Sequence, residues 1–73
     1  MTDNEILKFI DEQADGIQFV CNKNKAVKIL ENVWKNGYAV AMEEASKAQT
    51  ELEKEMIDCL VKLVSEYVYP QSD

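Results

Sequence analysis

The chain contains no histidine and no arginine, and only two glycines, one proline and two cysteines. Each scarcity removes a class of function. Without His, no Ser-His-Asp or Cys-His nucleophile can be assembled, nor the Glu-x-x-His pairs that hold metals inside helical bundles. Two cysteines alone cannot complete a structural zinc site. Gly16 and Gly37 stand 21 positions apart, so no glycine-rich loop exists to cradle a phosphate. Acid–base work by paired carboxylates needs a walled cleft, which a three-helix chain of this length rarely has. The expectation is a protein with no catalytic residues, no cofactor and no metal.

Missing arginine also bears on partners. There are 14 acidic residues against 8 lysines, a net charge of −6. Nucleic-acid affinity rests on cationic neutralisation of phosphates, so direct nucleic-acid binding is not expected. The sequence has no long apolar run that could span a bilayer, and no charged-then-apolar leader at its start. A cytoplasmic, intracellular protein that makes no use of membrane is the expectation. In a reducing compartment Cys21 and Cys59 read as two buried thiols, with a disulfide between them the lesser alternative.

The pattern that is present is helical. At 73 residues, 47% hydrophobic and 30% charged, the composition is that of one small folded domain spanning 1–73. So little Gly and Pro means few turns, which points to an all-α fold. Thr2-Asp3-Asn4-Glu5 has capping-box spacing, with Thr2 or Asp3 able to receive the first free amides. Leu7, Ile10, Ala14, Ile17 and Cys21 then step by three and four. Because that phase survives Asp15-Gly16, the first helix is expected to run from about 3 to 21, with Gly16 inside it. The alternative ends the helix at Gly16 and leaves Ile17–Cys21 extended. Asn22-Lys23-Asn24 marks a turn, with Asn24 as the cap of a second helix over about 24–36. That helix carries Ala26, Val27, Leu30, Val33 and Trp34 on one side and closes at Asn36-Gly37.

From Tyr38 to Tyr69 there is no Gly or Pro, and the pattern predicts a single long helix over about 38–69. Its stripe comprises Tyr38, Met42, Ala45, Leu52, Met56, Cys59 and Leu63, with Gln49 the one polar intrusion. At 1.5 Å per residue that helix would be about 47 Å long, matching the first two laid end to end. The hairpin of 3–36 therefore either folds along it or leaves it projecting. The C-terminal half has an apolar arc too wide for one neighbour, including Leu52, Met56, Leu60, Leu63 and Tyr67. A homodimer, forming a helical bundle around those five residues, is the expected way to cover it.

Charge is segregated along the chain: net −4 over residues 1–21, +3 over 22–37 and −5 over 38–73. Glu44, Glu51, Glu55 and Asp58 follow one stripe of the expected long helix, a candidate acidic face for a protein partner with a basic surface. The competing reading is a solvated face, since Glu43–Lys47–Glu51 and Lys54–Asp58–Lys62–Glu66 are runs of opposite charges four apart. Lys23 and Lys28 could anchor acids on the same or a second molecule. Together these features point to a small acidic, non-enzymatic interaction module, an inhibitor or adaptor that occupies a partner's surface. Virus-encoded inhibitors of host nucleic-acid machinery, such as anti-CRISPR and anti-restriction factors, share this size and charge, an analogy at class level only. The alternative is a structural subunit whose homodimer is its role.

Overall fold

Helix α1 begins where the sequence says it should. In a computed structural model that describes residues 2–70, Thr2 is the N-cap of α1 (Asp3–Gly16), its hydroxyl accepting the Glu5 N–H at 3.2 Å. Ile6, Ile10 and Ala14 form the buried face. The helix ends at Gly16, not at Cys21, and the segment after it is neither helix nor extended strand. The Ile17 N–H bonds to Ala14, while the Val20 and Cys21 amides bond back to Ile17 at 3.0 and 3.1 Å. These tight turns keep nearly helical spacing, so Ile17 and Cys21 still point inward and the hydrophobic phase persists without the helix.

Helix α2 (Lys23–Lys35) is capped by Asn22, two positions before the expected Asn24. The Asn22 side-chain oxygen accepts the N–H groups of Asn24 and Lys25 at 2.9 and 3.3 Å. After α2 the chain reverses at Gly37, whose φ of 97° and ψ of 162° lie in a region essentially reserved for glycine.

The expected long helix is two helices. Helix α3 (Tyr38–Ala45) stops after eight residues and α4 (Glu51–Val68) starts afresh. Two hydroxyls make the break. Ser46 donates its O–H to the Glu43 carbonyl at 2.6 Å, while the Lys47 and Ala48 amides reach back only three residues. Thr50 then caps α4 by accepting the Glu53 N–H at 3.0 Å. The extents of 34 × 21 × 20 Å leave no room for a 47 Å rod.

The break resets the helical phase. On α3 the buried residues are Ala41 and Ala45; on α4 they are Glu53, Ile57, Val61 and Val64. Of the expected stripe, only Ala45 is fully buried; Met42 and Met56 are half-buried, and Tyr38, Leu52, Cys59 and Leu63 are exposed. The core face of α4 is thus one residue out of step with the stripe, about 100° of rotation round the helix.

Helices α2 and α4 pack on each other, and α1 and α3 each pack on both without meeting. Ile10, Leu30, Val33, Ile57, Val61 and Val64 fill the centre, with Ala14, Ala26, Ala41 and Ala45 letting backbones approach closely. Among the described residues there is no strand, and no helix is long and apolar enough to cross a membrane. The tail Gln71–Asp73, expected to fray, lies outside the described residues.

Candidate functional site

Polar contacts fix how the helices meet and decide which charges stay free. Lys25 donates to the Glu53 carboxylate at 2.7 Å, joining the N-terminal turns of α2 and α4. Glu53 is only 5% exposed, the one charged residue in the described core. Its hydrogen bond with Lys25 holds the carboxyl below its ordinary range and raises the lysine. Cys21 lies beside this pair, and burial, then the Glu53 charge, pushes its thiol up. Lys23 bridges to Asp11 and Asp15 of α1 at 3.2 and 3.6 Å, within the same molecule, one of the two anchorings open to it from the sequence.

Aromatic contacts close the opposite end. Phe9 stacks on Tyr67 with centroids 4.0 Å apart and planes 9° from parallel. The Tyr69 hydroxyl donates to the Trp34 carbonyl at 2.9 Å. Trp34, expected in the core, is half-buried with Lys35 Nζ 5.6 Å from its ring centroid.

The four acids singled out from the sequence do not share a face. Glu44 belongs to α3, where it pairs with Lys47 at 3.3 Å and borders a cleft of about 530 Å³ between α2 and α3. Asp58 is half-buried on α4; one carboxylate oxygen meets Lys54 at 3.4 Å, and the other is buried without a partner among the described residues. Glu51 and Glu55 are exposed and form no ion pair among the described residues. They remain together on α4, four positions apart. The helix break is what separates Glu44 from the other three.

The apolar residues singled out with them do converge. Leu52, Met56, Cys59 and Leu63 run along one side of α4 in steps of four, three and four, the side turned away from Ile57 and Val61. Leu52 is 50% and Leu63 41% exposed, Cys59 is exposed, and Met56 is half-buried. Leu60 and Tyr67 sit between this stripe and the core, half-buried. On the other edge stand Glu55, Lys62 and Glu66, all exposed. Cys59, expected to be buried like Cys21, is instead a free exposed thiol in this stripe.

Sequence reasoning missed one feature of the surface. Phe19 is 70% exposed at the turn between α1 and α2, the most exposed large apolar side chain among the described residues. Its signal was its place off the Ile17–Cys21 phase, shortly after Gly16. Among the described residues no cluster of three His, Cys, Asp or Glu could hold a metal ion. In comparisons with known proteins, no family model, no curated protein and no solved structure matches the chain.

Proposed function

We propose that the chain is a small non-enzymatic interaction module that binds another protein through the outward side of α4, acting as an inhibitor or adaptor by covering that protein's surface. The observation that supports it is the mismatch on α4. This helix is apolar over a wider arc than the bundle covers, and its surplus is an ordered stripe of Leu52, Met56, Cys59 and Leu63, three turns long. Scattered exposed leucines would carry no such meaning. An amphipathic helix offering residues at these spacings suits an apolar groove. Glu51, Glu55 and Glu66 alongside it, exposed and without an ion pair among the described residues, favour a groove rimmed by Lys or Arg.

Exposure makes the test clean, because Leu52 and Leu63 can be changed without opening the core. Immobilised native chain and the Leu52→Glu/Leu63→Glu variant would be offered the same lysate. A protein retained only by the native chain would then be purified and its binding remeasured against both. Loss of binding by at least tenfold in the variant, at unchanged helix content, supports the reading; equal binding places the contact elsewhere. Raising ionic strength should weaken the interaction further if the acids at the edge take part.

The second reading, a homodimer as an end in itself, is favoured by one specific observation, the self-complementarity of the same stripe.

A further inference from the structure

We infer that a second copy of this chain covers the α4 stripe when no other protein does, the two α4 helices running antiparallel about a two-fold axis between Met56 and Cys59. This rests on the reading of α4 as a docking face and names its occupant. The stripe spaces its apolar residues four, three and four apart, a pattern that reads identically from either end. Two such stripes laid antiparallel therefore match in one register. Leu52 meets Leu63 of the second copy, Met56 meets its Cys59, and the two-fold repeats both contacts. A slip of one heptad in either direction sets Cys59 against Gln49 or Met56 against Glu66, so only the first register keeps four apolar layers together.

The charges at the edge agree independently. Glu55 precedes Met56 and Lys62 precedes Leu63, so both lie on the same border of the stripe. In the antiparallel register Glu55 of one copy comes beside Lys62 of the other, twice by symmetry. Within one copy neither side chain forms an ion pair among the described residues. A parallel pairing would instead set Glu55 beside Leu60 and Lys62 beside Tyr67 of the other copy, leaving both charges without a partner across the seam. The contact extends over only three turns, about 16 Å of helix, which places it at the small end of protein interfaces. The resulting dimer is weak and reversible. Self-association then masks the docking face, and a partner protein must displace the second copy to bind.

Sedimentation velocity from about 10 µM to about 1 mM tests this. The expected result is a reversible monomer–dimer equilibrium for the native chain. Glu55→Lys or Lys62→Glu alone should weaken it by about tenfold, since each turns two exposed attractions into repulsions. The double exchange should restore it. A short bismaleimide should join two chains through Cys59, and Cys59→Ser should abolish the cross-link, because Cys21 is buried. A chain that stays monomeric throughout overturns the inference while leaving α4 free for a different protein. Dimers that ignore both charge reversals and yield no Cys59 cross-link overturn the register. Failure of the docking face itself is a different result: the Leu52→Glu/Leu63→Glu variant would bind a partner protein as well as the native chain does.

Discussion

Ile57 and Leu52 are apolar side chains of equal size on one helix, and truncating each to alanine should have very different costs. Ile57 is 1% exposed and fills the centre of the bundle with Val33 and Val61, so Ile57→Ala removes buried methylenes and leaves a cavity. Substitutions of that kind cost about 2–5 kcal/mol. Leu52 is 50% exposed, and its loss opens no enclosed space; at about 0.8 kcal/mol per fully buried methylene, half-burial limits the cost to about 1 kcal/mol. A domain of 73 residues has a total stability of only about 4–11 kcal/mol. Ile57→Ala therefore forfeits a large fraction, lowering Tm by roughly 4–8 °C for each kcal/mol lost, while Leu52→Ala lowers it by no more than about 8 °C in total. Urea unfolding followed by circular dichroism, with m-values compared to confirm two-state behaviour, reads the difference. Dilute protein keeps self-association from contributing. If Leu52→Ala were the costlier change, α4 would have to continue the phase of α3, and the reset at Ser46–Thr50 would be wrong.

The same contacts lead to three further outcomes. Thr50→Ala removes the side-chain oxygen that accepts the Glu53 amide and should cost about 1 kcal/mol, with Thr50→Ser nearly neutral, as measured by thermal or urea denaturation. Stability should fall at both ends of the pH scale. Glu53 has a depressed pKa, so its contribution is complete above the ordinary carboxylate range and is lost as pH drops below about 4. Lys25 and Cys21 have raised values, so theirs are complete at lower pH and are lost as pH climbs, beginning above about 8.5 for the thiol and above about 10.4 for the lysine. Glu53→Gln should flatten the acid limb of a Tm-versus-pH curve. Tyr69→Phe deletes the hydroxyl bonded to the Trp34 carbonyl, an exposed neutral hydrogen bond, and should cost about 1 kcal/mol or less in the same denaturation assay.

The all-helical class was legible because Gly and Pro are so few and the three–four spacing so regular. The hairpin of α1 and α2 was legible as well, with Thr2 as a cap and Gly37 as the point of reversal. Continuity of phase is what misleads. Across Ile17–Cys21 the period persists through a series of tight turns that imitate helical spacing, which hides the helix end. Across Ser46–Thr50 a helix is again read through a break, although here the phase itself is reset. Gln49 looks like a lone polar intrusion, although Thr50-Glu51-Leu52-Glu53 repeats the Thr-x-x-Glu spacing that marks the true helix start at Thr2. That repeat is the available signal for a new helix. Its consequence reaches the candidate site: Leu52, Met56, Cys59 and Leu63 do form one stripe, but on the outer side of a short helix rather than the inner side of a long one. Spacing alone reports that residues share a face; which face meets the core depends on neighbours distant in sequence.

Exposure of the α4 stripe to solvent is the central claim, and the two cysteines measure it directly. Native protein, dilute enough to remain monomeric, is treated with a colourless disulfide reagent that releases a coloured thiolate on reaction. One thiol equivalent, assigned to Cys59 by Cys59→Ser, should react rapidly, while Cys21 should react only as fast as the protein opens. Two slowly reacting thiols in the monomer would contradict the account, since Cys59 would then be covered and the docking face with it.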